Sequence, residues 1–512
     1  AISAPSRSAP RSPLRRREHQ GADMGDGGKI KSVPASVQLL SKQLQSADPQ
    51  VRQSGFDSIP RLRVPGEPLA DCLAEQLDHQ NWFVRQAAAA GVAKAAHLPN
   101  AVDLVLQDVA GKRLEAEDDV TRTCAARGLA GVVAEFLGPD EEADGQFQSP
   151  GGHQTAVGPG VPAEVAEMAA RQAVERLSHD NPRVVQTAVE CLADMSTIAE
   201  PYIAQIGACI ASPDRGVRNA VVAAFGHLGV SAAGGANTLA GYLAHSEPVV
   251  RRDATRALVA LSHHSGDAAA SGAAGQLKNA DPVARRAALL CLAELGQLAT
   301  PFAKFVAARL EDGVEAVRVA AVKALVAGGP TMAPHVKHIK HRLSHEDAEV
   351  RHCAIVAMRG LSRVSTTYAK SVGKMLYEES SSVETTVKQR IQALTVLSGA
   401  EANAHPYLSD MVACLEHPDW RVKRAAIEAM QDLKEYATPV ASKVARRVQH
   451  HEPSVRRAAA EALSLMGVHS DGYGDRIIGA HATEEDEDVK NACEQAMKLL
   501  KSLGALPEPK VL

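Results

Sequence analysis

NADPVARRAALLCL at residues 279–292 decides the fold, because its pattern returns in EDGVEAVRVAAVKAL (311–325), HEDAEVRHCAIVAM (345–358) and HEPSVRRAAAEAL (451–463). Each stretch holds an acid, a basic residue after Val or Ala, and an alanine-rich run. With the basic position as anchor, thirteen units align at Arg52, Arg85, Arg122, Val185, Arg218, Arg251, Arg285, Arg318, Arg351, Glu384, Lys423, Arg456 and Lys490, eleven of them basic. The step is 33 or 34 residues except for 37 after Arg85, 63 after Arg122 and 39 after Glu384. Self-similarity at such a period is the signature of a stacked-repeat protein.

Around each anchor, apolar or small residues recur at −1, +2, +3, +6 and +7, as in Val317, Ala320, Ala321, Ala324 and Leu325. That spacing is one face of an amphipathic helix. Four residues before the anchor stands Asp or Glu in nine units, and Asn in Asn81 and Asn181. A short acceptor there satisfies orphan N–H groups of the first turn, and Pro at the next position, as in Pro248, Pro282 and Pro453, is pre-set for the first helical residue. Eight before the anchor an apolar residue closes an earlier helix (Leu277, Leu310, Leu343), and seventeen before it Pro201, Pro301, Pro334, Pro406 and Pro439 mark where that helix begins. A lone helix pair cannot bury its apolar face. The expectation is therefore an all-α fold, an α-solenoid of about 13 stacked helix-turn-helix repeats.

The Asp-Pro-x-Val-Arg element at the start of the second helix, intact in Asp48, Pro49, Val51 and Arg52 and with Glu in Glu452, Pro453, Val455 and Arg456, resembles HEAT repeats. The short, alanine-rich units are similar to the HEAT-like repeats of phycobilisome lyases, over about residues 33–504. The resemblance implies a polar ladder of acids and arginines in successive repeats, here Asp281, Arg285, Arg318, Asp347, Arg351 and Arg456, interrupted at Val185, Val314 and Glu384. It also implies that second helices line the inside of the curve.

Outside the repeats, residues 1–32 are rich in Ser, Pro and Arg and are expected to be a disordered basic tail. The tail of a longer or processed chain, a transit-like segment, and translated sequence upstream of Met24 all fit it. Residues 138–162, with many Gly and Pro, form a flexible loop between repeats 1–3 (33–137) and repeats 4–13 (163–504), and 505–512 form a C-terminal tail. Eight cysteines without a C-x-x-C pair, and the lack of an uninterrupted apolar run of spanning length, lead to the expectation of a reducing, cytoplasmic setting without membrane insertion.

No nucleotide-binding or hydrolase motif is present. Paired His-Glu motifs hold two irons in deoxyhypusine hydroxylase, a HEAT-like enzyme, but His-Glu occurs here only at His345-Glu346 and His451-Glu452. The reading is a non-catalytic protein-interaction scaffold or adaptor with no cofactor; the alternatives are a HEAT-like metal-dependent enzyme, hydroxylase-like or bilin lyase-like, and a nucleic-acid-associated adaptor. Six histidines stand six residues before an anchor (His79, His179, His245, His345, His417, His450), where they read as residues at the negative end of the first helix.

Charge is polarised: residues 33–163 hold 10 basic and 17 acidic residues, residues 245–365 hold 16 and 11. Positions +1 and +5 of the second helices, facing away from the core, carry Arg252, Arg256, Arg286, Lys323 and His352. Such a strip suits an acidic or phosphorylated protein segment, because Arg grips carboxylate and phosphate oxygens bidentately. With a net charge of −4 and no aromatics among the arginines, nucleic acid is the poorer partner. Trp82 and Trp420, three before their anchors, are candidate partner anchors at the mouths of two turns.

Overall fold

The computed structural model describes residues 33–64, 66–138, 161–379, 382–470 and 472–506. The tail at 1–32, nearly all of the loop at 138–162 and most of 505–512 lie outside them. The described residues form helices without a strand, and consecutive second helices pack on one another along the chain: Pro282–Leu295 on Glu315–Gly328, then Ala348–Val364, Val383–Leu397, Trp420–Leu433, Pro453–Met466 and Glu487–Ser502. The protein is an α-solenoid.

One core runs through the stack. Ala288, Leu289, Leu292, Ala321, Ala324, Ala354 and Ala357 are sealed from solvent. The alanines let neighbouring second helices approach closely, while the leucines at −8 (Leu277, Leu310, Leu343) fill the space beneath the first helices. The stretches Pro282–Glu311 and Glu315–Ser344 are apolar enough on average to pass for membrane spans. Each is broken by a glycine of positive φ, Gly296 (59°) and Gly329 (58°), into helices of adjoining repeats.

That break is a repeating device. Eleven residues after the anchor the backbone turns left-handed at Ser196, Gly229, Gly296, Gly329, Lys434 and Gly467. A 3-10 stretch follows, and where it contains the repeat's proline the first helix proper begins two residues after that proline, at Ile203, Ala303, Val336, Leu408 and Ala441. In repeats 6–7 this residue is missing, and Pro248–Gly275 runs on as one helix kinked at Ser265.

The same landmark corrects the tenth unit. The left-handed residue there is Glu401 (φ 50°), which makes Arg390 the anchor instead of Glu384. Gln392, Ala393, Val396 and Leu397 then occupy the buried +2, +3, +6 and +7 positions. The six additional residues therefore precede Arg390, in the turn and in an extra helical turn that starts at Val383.

Capping follows chain length at the N-cap. Asp48, Asn81, Asp118, Asn181, Asp214, Asp281, Asp347, Asp419 and Asp486 each accept an N–H of the first turn, whereas Glu247 and Glu452 hold the position without a side-chain cap bond. The extra methylene of Glu carries its oxygens past the first-turn N–H groups.

The histidines six before the anchor do a job that a charge at the helix dipole would not explain. In all six, Nδ1 accepts the backbone N–H of the N-cap residue at 3.0–3.1 Å. Ser46, Ser212, Asn279, Asp312 and Glu484 make the equivalent bond elsewhere. An accepting Nδ1 must be unprotonated. For His417, burial and the nearby Arg390 hold the ring below the ordinary histidine value. A lowered folded pKa means the unfolded chain takes up protons first, so this contribution is intact above about pH 6.5 and is lost as pH falls through the folded value. His417→Asn, which supplies the acceptor that Asn279 provides in repeat 7, should flatten that loss. Thermal melts between neutral and mildly acidic pH should show the wild type losing more stability than the variant.

The anchor arginines chiefly clasp their own turn. Arg52, Arg122, Arg218, Arg251, Arg285, Arg351 and Arg456 donate through Nη1 to the carbonyls six and five residues earlier. Bonds to the next repeat take whichever acid is in reach: Arg85 to Asp118 (2.7 Å), Arg285 to Asp312 (2.8 Å), Arg318 to Glu349 (3.8 Å), Lys423 to Glu452 (3.3 Å) and Arg456 to Glu484 (2.6 Å). Val314 therefore does not interrupt the ladder, because Asp312, two residues earlier, takes Arg285 on both oxygens. Asp281 and Asp347 act as caps, and Arg351 has no carboxylate partner among the described residues.

A second ladder, not expected from the anchor alignment, joins the ends of the first helices. Arginine nine before an anchor pairs with the acid seven before the previous one: Arg113 with Asp78 (2.6 Å), Arg176 with Glu115 (3.1 Å), Arg342 with Glu311 (2.9 Å) and Arg447 with Glu416 (2.7 Å). The arginine side chains are 11–20% exposed, so these pairs are less screened than open-surface ones.

Candidate protein-binding surfaces

Residues at +1 and +5 of a second helix point away from the first helices, and the structure divides the basic strip formed by them into two parts. Arg286 and Lys323 come together: with Leu290, Glu315, Val319 and Ala320 they line a groove of about 260 Å³ between Pro282–Leu295 and Glu315–Gly328. His352 is exposed on the next second helix, which also presents Val356, 42% exposed. The groove thus combines apolar surface at Leu290 and Val319 with two cations and the single carboxylate of Glu315.

Arg252 and Arg256 are differently placed. Both bond Asp253, at 3.4 and 3.2 Å, and the same carboxylate accepts from Arg218 Nε at 2.8 Å. Burial acts to raise the Asp253 carboxyl, and the three guanidiniums outweigh it, holding the group below the usual carboxylate value. Asp253 is 1% exposed. Its role was readable in principle: it stands at +2, where the other repeats have uncharged residues, and an acid at a core position must be paired. Reversing Arg252 or Arg256 to Glu would set a second negative charge beside a buried carboxylate, so such changes do not leave the fold untouched.

The tryptophans occupy the first position of their helices. Trp82 is 43% exposed and meets Phe83 edge-on at 5.4 Å; Phe83 in turn lies 5.3 Å under the Arg52 guanidinium. Trp420 is 68% exposed and borders a depression of about 750 Å³ lined by Ile427, Leu465, Arg424 and Arg457. Both arginines there are paired within their own helices, with Glu428 and Glu461 at 2.9 Å, so the depression presents alternating charge around an apolar centre. Phe83 and Ile427 carry no motif and were not singled out by sequence.

Seven of the eight cysteines are buried, and all are free thiols. Burial pushes Cys72, Cys209 and Cys414 up to about 11, which keeps them protonated and poorly nucleophilic at neutral pH. Among the described residues no group of three or more His, Cys, Asp or Glu is arranged to hold a metal ion. His345 has its Nδ1 engaged in its turn, and the His451 ring lies tilted against His450 with centroids 4.1 Å apart.

Residues 408–498 match the family model for HEAT repeats. They run from the first helix of repeat 11 into the second helix of repeat 13, and the same helix pair recurs through the described chain. The protein is an α-solenoid, and residues 408–498 of it are HEAT repeats. Among solved structures, it is similar to the karyopherin Kap121p bound to the extreme C-terminus of the protein phosphatase Cdc14p, at 13% identity over 91% of this chain and 54% of that one, with a TM-score of 0.40. Kap121p bound to Pho4p gives 11% identity, 92% and 62% coverage and a TM-score of 0.37; Kap121p bound to the SUMO protease Ulp1p gives 11%, 92%, 61% and 0.35. This chain spans between about half and two-thirds of the length of those structures. No curated protein matches it.

Proposed function

We propose that the protein is a non-catalytic interaction scaffold that holds an acidic or phosphorylated segment of a partner protein against the second helices of repeats 7–9. The observation that carries this reading is the groove lined by Arg286 and Lys323 together with Leu290 and Val319, where two cations stand against the one carboxylate of Glu315. Two cations beside shared apolar surface fit a peptide in which a carboxylate or phosphate flanks an apolar side chain. Arg252 and Arg256 extend the positive field along the stack, reduced by Asp253. Arg286 and Lys323 make no ion pair among the described residues, so substitutions there break no internal contact of that kind.

The test uses the full chain and two fluorescent peptides, one acidic with a central Leu and one with the acids replaced by Gln. The acidic peptide is expected to bind more tightly, and R286E/K323E to weaken it by about tenfold or more, since charge pairs at an interface contribute on the order of 1.5 kcal/mol or above. Circular dichroism melts should match wild type. Equal binding of the two peptides, or unchanged affinity in the double variant, would refute the reading.

A further inference from the structure

The first helices of repeats 8–10 carry a second basic surface. Residues 335–346 read HVKHIKHRLSHE, and Lys337, Lys340, His341, Ser344, His345 and Glu346 line an open depression of about 630 Å³ where the first helix of repeat 9 runs into its turn. That is the size of a small-ligand site.

Its charge is unbalanced. Glu346 is the single carboxylate of the lining. Lys340 reaches Glu378 at 3.9 Å and donates to the Ser371 carbonyl at 3.3 Å, while Lys337 and His341 form no ion pair among the described residues. His345 accepts the Asp347 N–H on Nδ1, which places its proton on Nε2 and leaves the ring a free donor edge. Arg342, by contrast, is spent on Glu311. Lys304 and Lys370 are exposed one repeat to either side of Lys337, each 33 residues away, so the depression sits in a row of lysines. The neighbouring His338 reports the resulting field: burial first, then Lys337, His335 and Lys304, hold its ring below the ordinary value.

Lysine ammoniums are compact point charges without the fork that selects carboxylates, and the lining has no Phe, Tyr or Trp on which a base could stack. A phosphomonoester brings about −1.5 to −2 charges and three acceptor oxygens, so two or more on one small ring would match Lys337, Lys340, the His345 edge and Ser344 together. We propose that this depression binds a ligand with clustered phosphomonoesters, of the inositol polyphosphate class, either free or as the headgroup of a lipid.

The experiment measures binding of inositol hexakisphosphate to the full chain by calorimetry, and sedimentation with vesicles containing phosphatidylinositol bisphosphate or phosphatidylserine at matched surface charge. The expected result is binding of the free probe, the bisphosphate vesicles or both, lowered about tenfold or more in K337Q/K340Q and unchanged in K498Q. Free probe alone identifies a soluble ligand, and binding that favours bisphosphate over phosphatidylserine vesicles a lipid headgroup. No binding of either, equal sedimentation with both vesicle types without binding of the free probe, the same loss in K498Q, or an unaltered K337Q/K340Q overturns the proposal. Because all three substitutions fall outside the Arg286–Lys323 groove, the peptide assay remains an independent readout.

Discussion

Asp253→Ala is expected to destabilise the protein by about 3–5 kcal/mol, the cost of removing one partner from a buried ion pair. Asp253 is 1% exposed and Arg218 7%, and their 2.8 Å contact lies where the second helices of repeats 5 and 6 meet. Without the carboxylate, Arg218 keeps its bonds to the Ser212 and Pro213 carbonyls but retains a buried charge with no counter-ion, and Arg252 and Arg256 are left as like charges beside it. Contacts in a solenoid are between neighbours, so the damage should be local. Hydrogen exchange should accelerate across residues 212–275 while repeats 11–13 stay protected. Uniform protection, or a melt within about 1 kcal/mol of wild type, would show that the three arginines do not depend on Asp253. Asp253→Asn, which keeps the shape and one of the two acceptor oxygens, should cost less.

Ala321→Asp should cost more than about 4 kcal/mol, because it places an unpaired carboxylate at a fully sealed position between second helices. The adjacent Ala320 gives a sharp comparison. It is 2% exposed but borders the groove that Arg286 and Lys323 share. An aspartate at 320 can turn toward those cations and toward water, so Ala320→Asp should be distinctly milder. Paired thermal and urea unfolding of the two variants checks this; equal losses would mean that the groove does not reach Ala320.

The repeat was legible because stacking imposes the same demands on every unit. Alanines at +2 and +3, a short acceptor at −4 and an apolar residue at −8 answer requirements that a helix pair meets thirteen times, and repetition separates such signals from chance. The tenth unit failed for a local reason. Val383-Glu384 imitates the Val-Arg pair, and only the left-handed backbone at Glu401, followed by the burial of Val396 and Leu397, identifies Arg390 as the equivalent position. The expectation that Glu247 and Glu452 cap their helices missed through the length of one side chain.

The surfaces were harder to read, since a surface position answers to no repeated packing demand. By itself the sequence determined the all-α solenoid, its period, the faces turned to the core, and the group of positions from which a basic strip had to be drawn. Only the tertiary structure decided which cations are free. Whether an arginine faces solvent or a carboxylate depends on an acid one repeat away, about 10 Å across the stack and some 33 residues along the chain, and no local pattern records that distance. Arg342 is held by Glu311 while Lys337, five residues earlier, is not; Arg285 is held by Asp312 while its neighbour Arg286 is not. Helix periodicity is a property of neighbours in sequence, and charge compensation in this protein is a property of neighbours in the stack.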